Sequence, residues 1–122
     1  MDEDKRAEVV GFLADFKKAA SVGHVQFVQR LENNETMKDL GFNRRVYEDL
    51  ILALSTDDYA SGPDEDRDRP GHLWVFGKRI GREIYIKLKL YQFGGRDYAK
   101  CISFHYSEAP LKYPLRTQGD LE

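Results

Sequence analysis

The sequence predicts an α+β fold: two N-terminal helices packed on a three- to four-stranded antiparallel sheet. Apolar residues recur at helical spacing through the first half of the chain and alternate one-in-two through the second half. The strand-like segments also follow one another with only turn residues between them, so they form a meander rather than βαβ units. With 122 residues there is room for one hydrophobic core. A single domain over 1–122 is therefore expected, with flexible ends at 1–5 and 116–122.

The first helix is read over Asp4–Ala20, where Val9, Phe12, Leu13 and Phe16 make one apolar stripe. Acids precede it, Lys17 and Lys18 fall in its last turn as the helix dipole prefers, and Gly23 stops it. If His24–Leu31 is a strand, Val25, Phe27, Gln29 and Leu31 share a face. Asn33-Asn34-Glu35-Thr36 reads as a turn into a short helical segment ending near Gly41. Asn43 then caps a second full helix, with Val46, Leu50 and Leu54 on its stripe and Tyr47 and Ile51 widening it, to about Ser55. From Ser55 to Gly71 the chain is acidic and holds Gly62-Pro63 and Pro70-Gly71, which reads as a mobile loop with nothing to bury. The meander follows: His72–Phe76, a turn over Gly77–Gly81, Arg82–Tyr91, a turn over Gln92–Asp97, and Tyr98–Ser107. Pro110 and Pro114 punctuate an extended tail.

Composition narrows the function. Hydrophobic residues make up 41% and charged residues 33%, which suits a folded globule with a heavily solvated surface. No stretch approaches the roughly 18 apolar residues that cross a bilayer, so no membrane partner is expected. Met1-Asp2-Glu3-Asp4 lacks the cationic and apolar regions of a signal peptide, and Cys101 is the only cysteine. A reducing, cytoplasmic location follows as an expectation. One cysteine with His24, His72 and His105 makes no zinc motif, residues 64–68 lack the spaced ligands of an EF-hand, and Gly94-Gly95 is a turn rather than a phosphate cradle. Neither a metal nor a cofactor is expected.

A net charge of −2 argues against a generic nucleic-acid coat, but the charges are segregated. Residues 57–68 hold six acids against Arg67 alone, while residues 78–100 hold seven bases against Glu83 and Asp97. The basic half falls on the hairpin. In its first strand Ile84, Ile86, Leu88 and Leu90 face one way, and Tyr85, Lys87, Lys89 and Tyr91 the other. In its second strand Ile102 and Phe104 face the core, with Cys101, Ser103 and His105 opposite. Since the apolar sets share the core, odd residues pair with odd residues. A turn near Gly95 sets Tyr85 opposite His105 and Lys87 opposite Ser103, and a two-residue slip still leaves phenol, imidazole and ammonium within reach of one another.

Those groups match the needs of RNA cleavage without a metal. The 2′-OH must lose a proton, the departing 5′-oxygen must gain one, and the phosphorane between them needs positive charge. Histidine titrates near neutrality, a tyrosine hydroxyl donates or hydrogen-bonds, and lysine supplies charge. Catalytic roles are assigned to His105, Tyr85 and Lys87, and RNA binding to Lys89, Lys78, Arg79, Trp74 and Tyr91, the aromatics offering faces for unstacked bases. The alternative is a non-catalytic module that binds RNA or a protein through the same basic face.

The run from Leu40-Gly41-Phe42 through Leu52-Ala53-Leu54-Ser55 to Asp58-Tyr59 continues with His72-Leu73-Trp74, Ile84-Tyr85-Ile86-Lys87-Leu88 and Ile102-Ser103-Phe104-His105. In order and spacing, over roughly residues 8 to 108, this series resembles the motility quorum-sensing regulator (MqsR) family of mRNA interferase toxins. The resemblance implies a RelE-like toxin fold and metal-independent cleavage of single-stranded mRNA by 2′-OH attack. It also implies a cognate antitoxin, typically with a zinc-binding domain and a helix-turn-helix domain. The family's active-site tyrosine falls on Tyr85 and its neighbouring lysine on Lys87. Three positions depart from the pattern: a lysine falls on Ser61, a glutamine on Val75, and a final lysine on His105. Lys78 or Arg79 is the candidate for the missing positive charge.

Overall fold

In the computed structural model, which describes residues 2–116, three helices lead into a five-stranded mixed sheet, so the α+β class holds with more strands than expected. Helix α1 spans Asp2–Gly23, with Asp2, Glu3 and Asp4 in its first turn where the helix dipole favours acids. Residues 2–5, expected among the flexible ends, are thus helical; residue 1 and residues 117–122 lie outside the described residues. The helix runs three residues past Ala20, leaving Lys17 and Lys18 short of the last turn. His24, at φ +68°, takes the left-handed position expected of Gly23, and its N–H bonds the Ala20 carbonyl at 2.7 Å.

Strand β1, Val25–Phe27, is shorter than predicted and runs parallel to the last strand, because the chain already turns into helix α2 at Leu31. Helix α2 spans Leu31–Leu40, so the Asn33–Thr36 run is helical rather than a turn; Gly41, at φ +71°, closes it. Helix α3, Arg44–Leu52, starts as predicted, with the Asn43 side chain accepting from the Val46 N–H at 2.9 Å.

The acidic segment is corrected most. After a 3₁₀ turn at Thr56–Asp58 it forms edge strand β2, Tyr59–Glu65, antiparallel to β3, His72–Ile80. Two register shifts break the alternation that would have announced it. Pro63, which has no N–H, is tolerated because the strand has only one neighbour. Gly62, at φ +106°, lies so close to β3 that a Cβ there would sit 2.6 Å from the Leu73 carbonyl oxygen. Strands β4, Arg82–Phe93, and β5, Arg96–Tyr106, complete a sheet of order β1-β5-β4-β3-β2.

Helices α1 and α3 cover one face of this sheet. Phe12 stacks on Trp74 with ring centroids 4.6 Å apart, and Tyr47 meets Phe104 edge-on at 5.6 Å. Ile84, Ile86, Leu88 and Phe104 are fully buried beneath them. The other face, here called outer, is where the polar residues of β4 emerge.

The β4–β5 register matches the prediction at its open end, with Tyr85 opposite His105 and Lys87 opposite Ser103. Then Leu88 faces Cys101, so Ile102 is an extra residue in a β-bulge. Beyond it the parity of β5 reverses. Cys101, predicted on the face of Ser103 and His105, is fully buried in the core, and Ile102 loses its predicted core place. Asn33 of α2, itself fully buried, holds the bulge: its Nδ2 donates to the Ile102 carbonyl at 2.9 Å and to the Val28 carbonyl at 3.0 Å. Its Oδ1 accepts from the Phe104 N–H at 3.0 Å.

Candidate active site on the outer sheet face

Cross-strand rows order the outer face. Gly77, Tyr85 and His105 form one, Val75, Lys87 and Ser103 the next, then Leu73, Lys89 and Lys100. The Tyr85 and His105 rings stack with centroids 5.3 Å apart and planes inclined by 19°, and Lys87 Nζ lies 5.7 Å from the Tyr85 ring centroid. Among the described residues Lys87 forms no ion pair.

His105 Nδ1 is 3.0 Å from the Tyr106 carbonyl oxygen. A carbonyl only accepts, so Nδ1 carries the hydrogen, and in the neutral ring Nε2 is the basic nitrogen.

The tail turns back over this row. The Leu111 N–H donates to Glu83 Oε1 at 2.8 Å and the Tyr113 hydroxyl to Glu83 Oε2 at 2.6 Å. Burial, followed by the Glu83 bond, raises the Tyr113 pKa. Gly77 permits the crossing, since a Cβ there would lie 2.6 Å from Leu111 Cδ1 and closer still to the Tyr113 hydroxyl. Between tail and sheet is a cavity of about 330 Å³ lined by Tyr85, His105, Ser107, Glu108, Ala109, Pro110 and Leu111.

On its other side His105 borders a cavity of about 730 Å³ against α2, whose lining includes Glu32, Glu35, Asp39 and Glu108 with only Lys38 and Arg82 as bases. Tyr106 donates to Asp39 there, a bond that raises its phenol pKa, and the Arg82 guanidinium lies 3.9 Å from the Tyr106 ring centroid. An anion is favoured on the Lys87 side of the imidazole and opposed on this one.

The remaining predicted residues divide. Trp74, assigned to base stacking, belongs to the core under Phe12, because its place in β3 faces the helices. Lys89 is 4% exposed and pairs with Asp66 at 2.6 Å. That bond holds the Asp66 carboxyl at about 2 and ties the acidic turn across the face, so Lys89 is not the open phosphate ligand predicted. Lys78 projects to the helix side and reaches the buried Asp58 carboxylate at 3.3 Å, leaving the Tyr85 face. Arg79 is exposed on the outer face opposite Glu83, one row beyond Tyr85. Tyr91 is on the outer face as predicted. Burial raises the Cys101 thiol pKa, which fits its reading as a small sheet residue.

No protein-family model, curated protein or solved structure matches this chain. Among the described residues no group of three or more histidine, cysteine or acidic side chains is arranged to hold a metal ion, and no helix is long and apolar enough to cross a membrane. Sequence reasoning missed Glu108, Pro110 and Leu111 as cavity walls, and Tyr98 and Lys100 as outer-face residues. Adjacent apolar Cys101-Ile102, which breaks the alternation, was the available sign of the bulge.

Proposed function

We propose that this chain is a bacterial mRNA interferase toxin that cleaves single-stranded RNA in the cytoplasm. The observation that carries the reading is the stacked Tyr85–His105 pair, which lines a cavity of about 330 Å³ and stands beside Lys87, a cation in no ion pair among the described residues. His105 Nε2 takes the proton of the ribose 2′-OH. The 2′-oxygen then bonds to phosphorus and the P–O5′ bond breaks. The Tyr85 hydroxyl donates its proton to the leaving 5′-oxygen, leaving a 2′,3′-cyclic phosphate and a 5′-hydroxyl end. Lys87 faces the charge that develops on the phosphorane. The MqsR-like series of residues supports the same reading and adds its partner, an antitoxin with a zinc-binding and a helix-turn-helix domain. A neighbouring reading frame with CxxC pairs and a helix-turn-helix pattern would accord with it.

Primer-extension mapping of cleavage ends on bulk mRNA tests the proposal, with antitoxin absent and EDTA present. His105→Ala and Tyr85→Phe are expected to lower cleavage by about 10²- to 10⁴-fold, the usual range for a lost acid or base, with the far-UV spectrum unchanged. Full-rate cutting by both variants, or none by the wild type, would remove the enzyme reading. The second reading is a non-catalytic module that binds RNA or a protein through the same face, whose basic field the pairing of Lys89 with Asp66 and of Lys78 with Asp58 reduces. RNA binding without cleavage would select it.

A further inference from the structure

We propose that the closed end of the β4–β5 hairpin is a stacking platform for single-stranded RNA, a second contact distinct from the Tyr85–His105 row. Tyr91 lies six residues from Tyr85 along β4, about 20 Å at the rise of a strand. The inference rests on the ribonuclease reading for the source of its strand: RNA held in the cavity at Tyr85 continues along the sheet toward this end.

The bulge builds the platform. By reversing the parity of β5 it puts Tyr98 directly opposite Tyr91 and Lys100 opposite Lys89, all on the outer face. The two tyrosine rings stack with centroids 5.3 Å apart and planes inclined by 20°. The Tyr91 hydroxyl donates to Gln26 Oε1 at 2.7 Å, so strand β1 fixes the orientation of that ring before any ligand arrives.

Cations surround the pair. Lys100 Nζ is 5.8 Å from the Tyr91 ring centroid and the Arg96 guanidinium 5.5 Å from that of Tyr98. Arg69 lines, with Tyr91 and Lys100, a cavity of about 680 Å³. Among the described residues none of these three cations is in an ion pair, and Asp66 of the acidic turn is paired with Lys89. Asp97, across from Gln92, is the carboxylate on the hairpin end. Fixed aromatic faces interleaved with free cations fit a splayed single strand, whose bases stack while its phosphates meet lysine and arginine; a duplex hides its base faces.

The probe is a short fluorescein-labelled 2′-O-methyl oligoribonucleotide, which lacks the attacking hydroxyl and is read by anisotropy. Tyr98→Ala and Tyr91→Ala are each expected to weaken binding by about 5- to 100-fold. Tyr98→Phe, which keeps the ring, stays within about twofold of wild type by the same stacking argument. Lys100→Ala is expected to weaken binding and flatten the salt dependence. Equal affinity of Tyr98→Ala, Lys100→Ala and wild type overturns the platform, as does a wild type that binds no RNA or prefers the duplex. If the wild type cuts mRNA and these variants cut with unchanged KM, the ribonuclease stands and the platform falls. If the alanine variants lose binding while the wild type cuts nothing, the platform stands and the ribonuclease falls.

Discussion

Replacing Asn33 by leucine deletes the clamp on the β5 bulge while nearly keeping side-chain volume. Three hydrogen bonds, of 2.9 to 3.0 Å, disappear from a side chain with no exposed surface. They leave the Phe104 N–H and the carbonyls of Ile102 and Val28 without those partners. A buried polar group left unsatisfied costs about 1–3 kcal/mol. Val28 is half-buried and can recruit water, so two groups carry the loss, about 2–6 kcal/mol in all. Against a typical domain stability of about 5–15 kcal/mol this shifts a denaturation midpoint clearly.

Urea unfolding followed by far-UV circular dichroism measures it, provided the slope stays constant. Asn33→Asp adds a sign. Its carboxylate still accepts from the Phe104 N–H but turns lone pairs toward two carbonyls, and burial raises its folded-state pKa above the unfolded value of about 3.9. The folded state then holds the extra proton. The variant is therefore least impaired below about pH 4 and loses about 1.4 kcal/mol per pH unit from there up to its folded-state pKa. A loss under about 1 kcal/mol for Asn33→Leu, or a pH-independent defect for Asn33→Asp, would refute the idea that this side chain holds the bulge.

Two further outcomes concern the elements crossing the outer face. Gly77→Ala puts a Cβ against Leu111 and Tyr113, so it is expected to cost about 1–3 kcal/mol and lift the tail from Glu83. Faster trypsin cleavage at Lys112 in the variant would report the release, and equal protection would count against it. The Asp66 carboxyl, held at about 2 by Lys89, contributes stability fully above its ordinary value of 3.8 and loses it as pH falls toward 2. In Lys89→Met the NMR titration midpoint of Asp66 should return toward the ordinary value; an unmoved midpoint would mean Lys89 is not the cause.

Much of the architecture is legible in one dimension because it is local. The stripe of α1, the Asn43 cap of α3 and the alternation of β4 are periodicities or turn-scale contacts, and each appears where the residues indicate. The facing of Tyr85 and His105 agrees with the parity set by Ile84, Ile86 and Phe104 sharing the core, although the register reaches that row from the turn only across the bulge at Ile102. Strand β2 stayed hidden because Gly62 and Pro63 interrupt its alternation, and its hydrogen bonds come from β3 rather than from any pattern of its own. Strand β1 needed Ala99–Cys101 beside it to become a strand at all.

The amino-acid order alone dictated the α+β class, the core-facing alternation of β4 and the shared face of phenol and imidazole, because those follow from apolar periodicity within each strand. Folding in three dimensions decided which charges remain free and which aromatics are exposed. Lys89 and Lys78 are held by Asp66 and Asp58, more than fifteen residues away in either case, and Trp74 is taken by Phe12. The bulge gripped by Asn33 turned Cys101 inward and Tyr98 outward. Such choices come from contacts distant in sequence, where burial and ion pairing outweigh any local preference.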